Sequence, residues 1–155
     1  MAQYTGAGTC LSVSAAAPAT HDAAGFAALT WTQVGEIESI GEFKISHAAV
    51  TFANLCTGKT STKKGAEDAV TVALVVALDR DDAGQTLLTT ARKSLTLIYS
   101  FKIMEANGDI VYFRAQVMSE VITGGAGVSD IKKGGYDLGV NAPATGDTAV
   151  VVNAV

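Results

Sequence analysis

Apolar residues in this chain of 155 residues fall mainly at alternate positions. In Thr9–Ala15, TCLSVSA, Leu11 and Val13 alternate with small polar residues, which predicts a strand. AAAPATHDAAG follows, with Pro18 and Gly25, and reads as a loop. WTQVGEIESI, residues 31–40, predicts a second extended segment in which Glu36 and Glu38, two apart, share one face. VTVALVVAL, residues 70–78, is continuous and β-branched, as expected of a strand buried on both faces.

The period changes to that of a helix only once. In DDAGQTLLTTARKS, residues 81–94, Ala83, Leu87, Leu88 and Ala91 line one face. Asp82 is a good N-cap, and Gln85 three residues on gives a capping-box-like pair. Arg92 and Lys93 close the last turn, where the helix dipole favours positive charge.

A hairpin follows. LTLIYSFKIMEA, residues 95–106, reads as a long strand with Leu97, Tyr99, Phe101 and Ile103 on one face. Asn107-Gly108-Asp109 turns the chain, and IVYFRAQVMSEVIT, residues 110–123, returns with Val111, Phe113, Ala115 and Val117 on one face. Short strands are expected around Val128–Lys133 and Tyr136–Val140. The apolar run Val150–Val152 would be sticky if exposed and is expected to pair. Strands dominate and one helix is inserted. The fold class is therefore mainly β: an antiparallel sandwich or barrel with one flanking helix.

Residues 46–69 break the pattern. They are rich in Ala, Thr, Ser, Gly and Lys and read as a long inter-strand loop. Within them ANLCTGKT, residues 53–60, matches a loose phosphate-loop pattern, with VALVVALD downstream in the place of a second nucleotide motif. A phosphate loop needs a helix directly after its Lys-Thr, so that helix amides face the phosphates. STKKGAED has no apolar face to make one, the first glycine of the pattern is Ala53, and the interval is too short for a parallel crossover.

Composition narrows the classes further. Charged residues make up 17% of the chain, below the usual share of about 25%. That suits a subunit that buries surface against copies of itself. A net charge of −4 gives no polybasic surface for phosphate neutralisation. Cys10 and Cys56 make no disulfide framework, and His21 and His47 lie far apart, so no cofactor or metal centre is expected. Neither a signal-peptide pattern nor a run of about 20 apolar residues is present, so no membrane partner is expected and synthesis in the cytoplasm is.

The order of features resembles that of the major tail tube proteins of long-tailed, non-contractile, siphovirus-type (lambda-like) phages. The residues that carry it are TGAGTCLSV, LTWTQVGEIESIGEFKIS, the polar stretch ending in KKGAEDA, DDAGQTLL, LTLIYSFKI, and NGD with VYFRAQVMSEV. The resemblance covers about residues 5–141, which implies a single tail-tube domain over 1–141 and a C-terminal arm or final strand over 142–155. It implies a structural virion protein and no enzyme: hexameric rings stacked helically into a hollow tail tube, assembled in the host cytoplasm. Its partners would be further copies of itself, the tape-measure protein, and the tail terminator and distal tail proteins. Double-stranded DNA would pass through the lumen without specific binding.

The loop, residues 44–69, would reach the adjacent ring, with Lys44, Lys59, Lys63, Lys64 and Glu67 as its assembly residues. Glu36, Glu38 and Glu120 are candidates for an acidic lumen lining that repels phosphates. The alternative is the tube protein of a contractile tail or secretion-type injection system. A small ligand-binding β-barrel is the rival of a different class.

Overall fold

A computed structural model describes residues 3–69 and 71–155. Ten strands and two helices run in the order β1 (Cys10–Ser14), α1 (Ala23–Ala27), β2 (Thr32–Val34), β3 (Ile37–Ile40), β4 (Ile45–Asn54), β5 (Lys59–Ala69), β6 (Thr71–Ala77), α2 (Ala83–Lys93), β7 (Tyr99–Met104), β8 (Ile110–Val121), β9 (Lys133–Val140) and β10 (Ala149–Val152). Eight strands form one antiparallel sheet in the order β2-β1-β7-β8-β9-β6-β3, with β10 on β8. Strands β4 and β5 form a separate two-stranded sheet. The β-rich antiparallel class expected from the alternation is the one found.

The outermost strands of the main sheet, β2 and β3, are successive pieces of one segment. The continuous strand expected over 31–40 is thus two strands with a corner at Gly35–Glu36. Glu36 takes a left-handed φ of 58°, a region that costs most L-residues about 1–2 kcal/mol. Glu36 therefore lies outside both strands and does not share a strand face with Glu38. Two side chains from the start of α2 hold the corner. Asp82 accepts from Gly35 N at 3.2 Å and caps the helix by accepting from Gln85 N at 2.8 Å. The buried Gln85 carboxamide donates to Gly35 O and Ala77 O and accepts from Asp79 N. Asp82 is the N-cap expected, but the Gln85 side chain does not return to it: it ties the corner to the end of β6.

Inside the curl lies the core. Leu11, Val13, Val34, Val72, Leu74, Val76, Phe101, Phe113, Ala115, Val117, Tyr136 and Leu138 point inward, and α2 adds Leu88 and Ala91. A helix can sit this close to β2 because Gly84 has no side chain: a Cβ there would lie 2.5 Å from Gln33 O. The same strand residues expected to share a face, Phe101 with Tyr99 and Phe113 with Ala115 and Val117, are buried together. Burial in β6 alternates, with Val72, Leu74 and Val76 inside and Thr71 and Ala73 exposed, so the expectation of burial on both faces fails. Among the described residues no second sheet layer covers its outer face. Val70, the first residue of that expected strand, lies outside the described residues.

Other boundaries moved for local reasons. The loop expected after β1 contains α1, capped by Asp22, whose carboxylate accepts from Gly25 N at 2.7 Å. That hydrogen bond first, then one from Thr20, holds the Asp22 carboxyl below its ordinary pKa of 3.8. Phe26 of α1 stacks on Tyr112 at 5.2 Å, and Trp31 tilts over the same ring. Burial raises the Tyr112 phenol above its ordinary value. Strand β7 starts at Tyr99 rather than Leu95, because the Ser94 hydroxyl accepts from Thr96 N and Leu97 N and folds those residues into a turn. The two strands expected over 128–140 are one, β9, from Lys133. The turn at Asn107–Asp109 forms as expected, with Gly108 at φ 95°. The expected pairing of Val150–Val152 is met by β10, which lies along Ile110–Phe113 of β8.

Candidate assembly surface

The long loop expected over 44–69 is the β4–β5 hairpin. Its strands pair from Ile45↔Ala69 to Asn54↔Lys59, with a bulge between His47 and Ala49. The pattern was hidden because the segment buries neither face, so no apolar period of two marks it. What shapes it is turn chemistry. The Asn54 side chain accepts from Cys56 N and Thr57 N, Gly58 N donates to Asn54 O, and Gly58 takes φ 62°. Thr, Ser and Val on the arms suit extended backbone. ANLCTGKT is thus the tip of this hairpin. A strand follows Thr60, so no helix amides converge on the loop.

Ten residues in β4 at ~3.4 Å each make an arm of about 30 Å. Neither strand bonds to the main sheet. Every described side chain on the arm is exposed except at Ser46 and Gly65. The register sorts the residues. Val50 faces Lys63, Phe52 faces Ser61 and Asn54 faces Lys59, all on one side. Ala49, Lys64, Thr51, Thr62, Ala53 and Thr60 form the other. The first side is an apolar stripe flanked by two lysines, with Phe52 65% exposed and Leu55 at the tip fully so. Covering one such side chain is worth about 1.5–3 kcal/mol. A lone two-stranded hairpin is marginal in water, and this one leaves its apolar stripe uncovered among the described residues.

Of the residues expected on the loop, Lys59 and Lys63 come together on the apolar side and Lys64 lies on the opposite one. Lys44 is exposed just before β4. Glu67 sits at the base, where its carboxylate accepts from the buried Thr148 hydroxyl, fixing the arm against the segment that leads into β10. Val50, Phe52 and Leu55 were missed in the sequence. Their trace in the sequence is two alternating apolar residues, Val50 and Phe52, before an Asn-to-Gly turn, too short a run to set a period.

The three carboxylates lie in different settings. Glu36 is exposed at the corner. Glu38 is paired with Lys133 at 2.9 Å, both half-exposed, a contact worth about 0–1 kcal/mol. Glu120 is paired with Arg92 at 2.6 Å, its side chain only 11% accessible, and accepts from Thr89. Next to it, burial raises the Tyr136 phenol above its ordinary value, against a hydrogen bond shared with Thr89. Among the described residues no three His, Cys, Asp or Glu side chains are grouped to hold a metal. No described helix is long and apolar enough to cross a membrane.

No family model matches this chain. No curated protein matches it in sequence. Solved structures do match in shape. A chain of PVC, an extracellular contractile injection system, seen by cryo-EM in the sheath/tube terminator in its extended state, superposes with a TM-score of 0.68 at 8% identity, over 99% of both chains. A chain of the PVC sheath–tube complex in the extended state superposes with a TM-score of 0.62 at 9% identity, over 94% of this chain and 88% of that one. The three chains share a fold. The likeness lies with a contractile assembly, and so with the alternative drawn from the sequence more than with the non-contractile tail tubes that the sequence resembles.

Proposed function

We propose that this chain is a structural subunit of an injection-type tail, a ring-forming protein of the tube or of its end, in an assembly of the contractile kind. The observation that carries the reading is the β4–β5 arm: about 30 Å of paired backbone with an uncovered apolar stripe. The shared fold with sheath–tube chains over nearly the full length of each supports it. The role is structural rather than enzymatic. Copies would close into hexameric rings, and the arm would lie on the next ring with Val50, Phe52, Lys59 and Lys63 against it. Glu36 and Glu38 would face the lumen. Glu120 would add little there, since Arg92 offsets its charge. A tape-measure protein, tail terminator and distal tail proteins would be the further partners, and DNA would be cargo without a binding site. The particle's tail would be its place, after assembly in the host cytoplasm. The tail tube of a non-contractile phage is the second reading, supported by the order of sequence motifs over residues 5–141.

Sedimentation velocity tests the self-association. The expected result is a species of several subunits that grows with protein concentration. A single monomer boundary across the accessible concentrations would contradict it.

A further inference from the structure

Arg114 on β8 carries no carboxylate partner. The ion pairs among the described residues are Arg92–Glu120 and Lys133–Glu38. One Arg114 terminal nitrogen, Nη2, donates to Ile98 O at 2.7 Å, which fixes the guanidinium against the strand end. Its Nε is sealed from solvent without a hydrogen-bond partner. The other terminal nitrogen, Nη1, makes no hydrogen bond among the described residues and is not sealed.

Arg114 lines a cleft of about 340 Å³ together with Pro18, His21, Asn141 and Pro143. No acidic side chain lines it. The Asn141 backbone N donates to Arg114 O, which pins the two residues together and leaves the Asn141 carboxamide without a partner among the described residues. His21 Nε2 donates to Asp147 O at 2.8 Å, which fixes its ring at the rim. The cleft therefore holds one half-buried positive charge beside the Asn141 carboxamide, in a lining of mixed polarity. A sealed guanidinium nitrogen without a partner is costly, and an oxyanion beside the guanidinium would offset the unpaired charge.

We propose that this cleft is a binding site for a single oxyanion, held by Arg114 Nη1 with Asn141 at its side. The inference does not depend on the assembly reading. The chemistry has two sources: a free anion, or a carboxylate from a second copy of this acidic chain, which holds 15 Asp and Glu against 11 Lys and Arg.

The test is NMR titration of the soluble protein with inorganic phosphate and, separately, acetate, against chloride at equal ionic strength. Saturable shifts are expected at the Arg114 Nε–H and the Asn141 side-chain amide, lost in Arg114→Gln and weakened at least several-fold in Arg114→Lys. Asn141→Ala, which keeps the cation, is expected to weaken binding without changing the fold. Shifts that do not saturate, or that persist in Arg114→Gln, would overturn the proposal. If Arg114→Gln does not fold, the Asn141→Ala titration decides: unchanged affinity overturns the site. The sources separate in a parallel measurement of self-association. Competition by acetate or phosphate, with loss in the Arg114 variants, assigns the site to a second copy's carboxylate. Saturable binding with self-association unchanged assigns it to a free anion.

Discussion

Gln85 is the residue on which the shape of the sheet turns. A capping-box reading places its side chain over the helix start. In the fold it instead serves three backbone groups from three places: Gly35, Ala77 and Asp79. Each of those groups would be left unpaired by an apolar replacement of similar size. Gln85→Leu is therefore expected to destabilise the chain by about 2–4 kcal/mol, read as a lower urea midpoint with unchanged slope. A loss under about 0.5 kcal/mol, the size of an ordinary surface substitution, would show that water replaces the carboxamide and that the corner at Gly35–Glu36 does not depend on it. Asp82, a few atoms away, is a cap in the ordinary sense and also holds Gly35 N. One carboxylate thus joins helix start and strand corner.

The arm is where sequence and structure part most. Strands that bury one face wrote themselves into the chain: Leu11 with Val13, Phe101 with Tyr99, Phe113 with Ala115. The helix was legible from its cap and from Leu88 and Ala91. β4 and β5 were not, because Val50 and Phe52 have no partner within the chain and their neighbours are Thr, Ser and Lys. Periodicity reports burial within the chain, and an arm exposed on both faces has none to report. The corner at Glu36 was illegible for a different reason, since its cause, Asp82 with Gln85, lies almost fifty residues away. The expected assembly lysines were legible by type, yet only the register separates Lys59 and Lys63 from Lys64.

That separation yields a prediction at the scale of the element. Lys59→Glu with Lys63→Glu is expected to weaken self-association strongly, with circular dichroism and melting of the isolated chain unchanged. Lys64→Glu, on the other side of the arm, is expected to have a smaller effect. Phe52→Ser should act like the double variant, through lost apolar cover. Equal effects from both sides would mean that net charge and not the stripe matters.

The whole molecule combines a packed, one-sided sheet with an arm that the body does not cover. The body holds the packed core, which α2 closes, and β10 covers Ile110–Phe113 on one edge of β8. The arm adds exposed apolar surface and contributes no described residue to that core, as the proposed assembly would require. The low share of charged residues, 17%, fits the same account.

Negative-stain electron microscopy of the purified chain, beside a variant with residues 48–65 replaced by a short turn, tests this most directly. The account predicts rings with a central hole, or stacked tubes, for the full chain, and neither for the shortened one while it stays folded. Fields without rings or tubes for the full chain under every salt and protein concentration tried would contradict it, as would identical rings and tubes from the chain without its arm.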